Sequence, residues 1–287
     1  PQLNLLLGIR NLDLIDQQVF VPKEAAVGVS SWLTENIKAG QATQASFLYA
    51  SSLAPELADN SQTIQFYADI LNADLTYLPG WPEVSQVKAN LMVDVPDVDV
   101  WIQRAATLGG ELLPGSTQIK IRTDSDDTTW MTLRGKLAGD ASEGLKYFSQ
   151  TPLQDQVAGV FDHWQVQGKM ESELYAQIPL SEGDEQKALS LRLNSQLHDV
   201  DVAMTDLELS FNNLNGMIEF DSELGLTAKG LQGEAFSGLT SADISSTKVD
   251  SGFDIRINAH GQAQTAAIKT WLPLFLLKPI SGDLNYT

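Results

Sequence analysis

The sequence predicts a mainly β protein built as an antiparallel meander, and three observations carry that reading. Apolar and polar residues alternate with period two over 64–70, 87–95, 189–197 and 253–259. Each run puts an apolar row on one strand face and a polar row on the other, which suits antiparallel sheets. Turn chemistry separates the runs at Pro79-Gly80, Asp124-Ser125-Asp126-Asp127, Ser181-Glu182-Gly183-Asp184 and Asn212-Asn213. Helical patterns are few and short.

Taken in chain order, the first helix is expected over 24–38, where Ala25, Val29, Trp32, Leu33 and Ile37 form one stripe and Gly40 closes it. A second, over 140–148, is shorter. The third is expected over 152–162. Thr151 can cap it, Pro152 sits where its missing N–H costs nothing, and Gln154 completes a capping box. Val157, Val160, Phe161 and Trp164 then share a face. Such helices would punctuate the sheet or cap its ends.

No Pro- or Ser-rich linker divides the 287 residues, so 1–287 reads as a single segment. An internal echo links 64–95 with 207–233: each reads as an alternating strand, a turn, an apolar strand and a tight return. Both ends read as cut, and the chain is expected to be an internal fragment of a larger protein. No basic n-region or cleavage site opens it. The apolar run at 271–277 is too short to span a bilayer and contains Pro273.

Charge excludes whole classes of partner. Lys and Arg total 18 against 37 Asp and Glu, a net charge of −19, which repels nucleic acid and anionic bilayer surfaces. The absence of cysteine excludes disulfides, thiolate catalysis and thiolate metal sites. The three histidines, His163, His198 and His260, are not spaced with other metal ligands.

The sequence contains no catalytic constellation. The aspartates of 93–100 lie on strand-like alternation and those of 124–127 in a hairpin turn. Neither has the spacing of a calcium loop. Paired carboxylates for glycoside hydrolysis prove nothing among 37 acids. Trp32 and Trp164 lie on helical stripes and Trp81 in a Pro-Gly-Trp-Pro turn, so packing explains them better than sugar stacking. Serine-nucleophile, phosphate-loop and dinucleotide motifs are absent. No metal site, cofactor or enzymatic activity is expected.

What remains is a surplus of amphipathic strands. An apolar sheet face cannot stay in water. It closes as a sandwich or barrel, or curls into a trough holding something apolar. Pattern alone favours the sandwich.

Particular residues shift that balance. They are Ser31-Trp32-Leu33 through Ala39-Gly40-Gln41, then Leu75-Thr76-Tyr77-Leu78-Pro79-Gly80-Trp81-Pro82, then Tyr147-Phe148-Ser149-Gln150-Thr151-Pro152-Leu153-Gln154-Asp155. Ile178-Pro179-Leu180, Asn213-Leu214-Asn215-Gly216-Met217-Ile218-Glu219-Phe220 and Gly225-Leu226-Thr227-Ala228 follow. In order and spacing, from about residue 20 to 240, the chain resembles the YhdP-type family of the AsmA-like group of Gram-negative bacteria. The resemblance implies a long, strongly curved antiparallel sheet forming an elongated groove of the β-taco, or repeating β-groove, type with a few short helices. It implies a periplasmic lipid bridge carrying phospholipid between inner and outer membranes, with an inner-membrane anchor outside this segment and an outer-membrane contact left open. It brings no catalytic residues.

On that reading the groove floor is drawn from alternating residues: Phe66, Ala68 and Ile70; Leu91, Val93 and Val95; Leu189, Leu191 and Leu193; Phe253, Ile255 and Ile257. A β-bulge would flip the face downstream of it. The competing readings are a dry β scaffold or interaction module, and a glycan-binding or glycan-active β protein.

Overall fold

A computed structural model describes residues 2–19, 35–53, 62–77, 80–108, 110–126, 128–151, 154, 161–180, 189–249, 252–272 and 280–287. The strands are β1 (Gln2–Asp13), β2 (Ile37–Ser52), β3 (Thr63–Leu75), β4 (Val84–Asp94), β5 (Asp97–Thr107), β6 (Gly110–Leu112), β7 (Thr117–Thr123) and β8 (Thr129–Asp140). Helix α1 (Ala141–Ser149) comes next. Then come β9 (Trp164–Pro179), β10 (Ser190–Met204), β11 (Leu209–Asp221), β12 (Gly225–Ala235), β13 (Gly238–Val249) and β14 (Gly252–Gln264). Helix α2 (Thr265–Trp271) and β15 (Asp283–Tyr286) finish the order.

All 15 strands belong to one sheet in near-sequential order, with β6 and β7 both placed between β5 and β8. By packing, the chain divides into two compact units. Unit 1 holds Pro1–Thr107, Glu111–Lys136 and Tyr175–Leu189, and unit 2 holds Leu108–Gly110, Leu137–Leu174 and Ser190–Thr287.

Each unit has its own apolar core. In unit 1 it is Ala42, Ala45, Ala68, Ala73, Val87, Ala89, Ile102, Ala105 and Leu14, with Phe66, Ile70 and Leu91 packed against them. In unit 2 it gathers Met170, Leu197, Val200, Val202, Met204, Phe211, Leu214 and Leu231 with Ala141 of α1. Small alanines dominate the first core and larger aliphatics the second.

Strict alternation fails at recurrent places, and five of the failures share one form. Asn72, Gln86, Asp199, Asn213 and Gly230 have φ between 49° and 61°. Pairing slips at each: between Ile70 and Ala73, Ser85 and Lys88, Leu197 and Val200, Asn212 and Asn215, and Ala228 and Leu231. These are β-bulges, whose extra residue bends the strand and sharpens its twist. Inward residues on these strands therefore step by three instead of two, from Leu197 to Val200 and from Phe211 to Leu214. The residue just after each bulge is deeply buried: Ala73 1%, Val87 5%, Val200 1%, Leu214 6% and Leu231 2% exposed.

A bulge takes its N–H out of the ladder, and that donor needs a partner. Neighbouring strands supply it. The Gln86 N–H donates to Asp74 (2.9 Å), Asn213 to Asp201 (2.9 Å), Gly230 to Asp243 (2.7 Å) and Asp199 to Asn215 (3.2 Å). Both echo segments, 64–95 and 207–233, contain two strands with one such bulge in each: β3 with β4, and β11 with β12.

Several expectations are corrected. Of the helix expected over 24–38, residues 24–34 lie outside the described residues; Glu35 and Asn36 are helical, but Ile37 and Lys38 open β2. Ile37 pairs with Leu75, and that cross-strand contact overrides the helical stripe. Gly40 is no helix cap. It lies in β2 with φ 132°, where an added Cβ would sit 2.7 Å from the Ala73 Cα. Most of 152–162 lies outside the described residues. Phe161 to His163 form a turn and Trp164 begins β9, so Trp164 is on no helix. Asn212-Asn213 is a bulge inside β11 and not a turn.

Candidate functional site

In an antiparallel pair, directly opposed residues share a face. Following register across unit 1 gives one row: Ile9, Ala45, Ala68, Leu91, Val100, Ile119 and Leu133, one residue each from β1, β2, β3, β4, β5, β7 and β8. Beside it runs a second: Leu7, Phe47, Phe66, Val93, Val98, Ile121 and Met131. A third contains Leu12, Ala42, Ile70, Ala89 and Ile102 and ends on Thr117. The first two rows contain no polar side chain. Phe47, Phe66, Val93, Val98, Ile121 and Met131 are only half-buried, and Leu7 is exposed.

The opposite face is largely polar. Tyr67 donates to Asp69 (2.5 Å), Asn90 donates to Asp69, and Gln103 donates to Asn90 (2.7 Å). The bond to the Asp69 carboxylate, aided by desolvation, raises the Tyr67 phenol above its ordinary value, because a phenolate would face a carboxylate. Arg122 bridges Asp97 (3.3 Å) and Asp99 (2.5 Å).

Unit 2 forms a partly open, largely apolar cavity of about 120 Å³. Strands β9 to β14 supply its walls, among them Val166, Met170, Leu197, Val200, Val202, Phe211, Leu214, Ile218, Leu231, Ala242, Ile244 and Ile257. Ala141, Gly144 and Leu145 of α1 close part of it. α1 approaches so tightly that a Cβ on Gly144 would meet the Met170 Cε at 2.2 Å. Phe161 and Trp164 stack edge-to-face at 5.1 Å along the same lining. A pocket lined by hydrocarbon offers water few hydrogen bonds and suits a hydrocarbon group.

The twelve floor candidates separate cleanly. Phe66, Ala68, Ile70, Leu91 and Val93 all lie on the apolar face of unit 1, in the rows above. Val95 does not: it is 51% exposed in the tight turn before Pro96 that joins β4 to β5. The alternation runs on past the point where the chain reverses, so the sequence pattern overshoots by one residue. In unit 2, Leu193 and Ile257 line the cavity. Leu191 is buried beside Ser222, whose Oγ accepts its N–H at 3.1 Å. Leu189 is half-buried just ahead of β10. Phe253 is buried edge-to-face against Phe220 at 6.4 Å. Ile255 shares the face of Ile257, opposite Ser246.

Val200, Val202, Met204, Leu214, Ile218 and Leu231 of the lining were missed because they lie downstream of bulges. Val200, Val202 and Met204 alternate well among themselves, but out of phase with Leu193 and Leu197. An Asx-apolar-Asx triplet is the signal that finds the break: Asn72-Ala73-Asp74, Asp199-Val200-Asp201 and Asn213-Leu214-Asn215. Among the described residues no group of three or more His, Asp or Glu is arranged to hold a metal ion. No helix among them is long and apolar enough to cross a membrane.

Comparison with known proteins adds the following. A family model described as "YhdP protein" matches residues 1–287. A curated relative, the "Intermembrane phospholipid transporter YhdP" of Escherichia coli (strain K12), is 23% identical over 301 residues; the match takes in 100% of this chain and 22% of the relative. The chain thus spans about a fifth of that relative's length. No solved structure gives a significant match.

Proposed function

The chain belongs to the YhdP family, and from that premise we propose that it is a periplasmic segment of a phospholipid bridge between the inner and outer membranes. It holds acyl chains on its apolar faces and catalyses no reaction. The inner-membrane anchor belongs to a part of the protein beyond this segment.

The observation that carries the proposal is the pair of uninterrupted apolar rows through β1, β2, β3, β4, β5, β7 and β8 in unit 1, most of whose residues are only half-buried. Removing a CH₂ from water is worth about 0.8 kcal/mol, so an acyl chain laid on such a face is held firmly out of solvent. Transport also requires that it not be held at one place. Rows from successive strands repeat at roughly 4.8 Å with similar aliphatic side chains, so neighbouring positions differ little in energy. The polar face carrying Asp69, Asn90 and Arg122 stays wet.

Site-specific photocrosslinking in living cells tests this, with the probe at Phe66 and separately at Gln65. Gln65 is opposite Leu48 and Asp94 on the other face. Phospholipid crosslinked at 66 and not at 65 is expected. Lipid at neither position, in a folded and expressed protein, would favour the dry scaffold instead.

A further inference from the structure

Among the described residues, the cavity lining of unit 2 carries hydrocarbon, two thioethers, the Trp164 indole and a single hydroxyl, that of Ser195. Ser195 is 1% exposed and its Oγ lies 2.7 Å from the Oγ of Ser172, itself 3% exposed. Neither hydroxyl has another hydrogen-bond partner among the described residues. Two hydroxyls bring two hydrogens, and one is used between the two oxygens. The other is a buried donor with no acceptor among the described residues, and native structures rarely leave such a donor unpaired.

Among the described residues, none on this face supplies the missing acceptor. Ser195 is in register with Ile218, which continues through Ala228, Ile244 and Ile257. Leu193 and Leu197 flank it along β10. An occupant of the cavity can supply that acceptor. An anion is disfavoured: among the described residues no basic side chain lines the cavity, and a desolvated carboxylate or phosphate without a counter-charge is costly. A neutral acceptor joined directly to hydrocarbon fits.

We propose that the Ser172–Ser195 pair is a binding site for the carbonyl oxygen of a fatty-acyl ester, donated by Ser195 from the wall of the unit 2 cavity. This rests on the lipid reading above and deepens it. Unit 1 offers rows without polar side chains, whereas unit 2 offers one fixed polar point that sets how far an acyl chain enters. The pair thereby distinguishes ester-linked lipid from ether-linked lipid or plain hydrocarbon.

The test uses the purified 287-residue chain with a photoreactive residue in place of Leu193, so that the readout is local to the cavity. It is exposed to an equimolar mixture of dioleoyl phosphatidylethanolamine and its dialkenyl ether analogue, and the two adducts are resolved by mass. The ester adduct is expected to exceed the ether adduct about three- to tenfold, the range set by one neutral hydrogen bond. The S172A/S195A double variant removes both partners together, so no donor is stranded and the fold is retained. In it the ratio is expected to fall to about one. Equal adducts with the serines in place overturn the proposal, and a buried water then satisfies the pair. No adduct with either lipid overturns the lipid reading itself, and this site with it.

Discussion

Gly168 of β9 and Val200 of β10 meet backbone to backbone: a Cβ on Gly168 would lie 2.7 Å from the Val200 Cα. Gly168 has φ 125°, and Val200 follows the bulge at Asp199 and is 1% exposed. The same relationship recurs between Gly40 and Ala73, and between Gly216 and Leu231, where the added Cβ would be 2.9 Å from a Leu231 methyl. A bulge pushes one apolar side chain hard against the neighbouring strand, and only a glycine leaves room for it.

Gly168→Ala is therefore expected to destabilise unit 2 by about 2–3 kcal/mol, combining a forbidden φ with a backbone clash. Thermal unfolding followed by circular dichroism should show a midpoint lower by roughly 5 °C or more. Gly8→Ala is the control, because an added Cβ there meets nothing within 4 Å; its midpoint should hardly move.

Asp201→Ala should cost about 1 kcal/mol by stranding the Asn213 N–H, which donates to Asp201 Oδ1 at 2.9 Å. Asp201→Asn keeps an acceptor oxygen and should recover most of that loss. Urea denaturation of the two variants side by side separates the capping role from a simple charge effect.

A charge in the unit 1 rows should interrupt lipid holding. Leu91→Glu places a carboxylate between Ala68 and Val100, where an acyl chain would have to desolvate it. Phospholipid recovered with the purified protein is expected to drop several-fold. Trp101→Glu adds the same charge opposite Asn90 and Gln118 on the other face, and should leave the recovered lipid unchanged.

Asp221 gives a pH signature. Burial works to raise its carboxyl, but the N–H groups of Glu223 and Leu224 and the side chain of Arg192 outweigh it and hold the group below its ordinary value. A carboxyl depressed in the folded state stabilises above its unfolded value, about 3.9, and that contribution is lost as pH falls through the folded value. The stability gap between the wild type and Asp221→Asn should therefore be present at pH 6 and shrink as the pH is lowered below about 4. A gap that grows on acidification would contradict the assignment.

Period-two alternation alone determined that this chain is mostly strand, and it placed Phe66, Ala68, Ile70, Leu91 and Val93 on one face. That much is local, because the side chains of an extended chain point alternately whatever lies around it. Alternation also carried Val95 past the end of its strand, since a turn begins where pairing stops, not where the pattern does. The helical stripe through Ile37 failed because pairing with Leu75 outweighs a weak local preference. Only the tertiary structure decided where the bulges fall, and with them which residues of β10, β11 and β12 face inward. A left-handed residue such as Asp199 or Asn213 is tolerated because a carboxylate or amide on the next strand receives its N–H and a glycine or small gap admits the side chain after it. Those partners lie more than ten residues away in sequence, so no window along the chain contains the reason. The cavity, the Ser172–Ser195 pair and the approach of α1 to Met170 all depend on contacts of that kind.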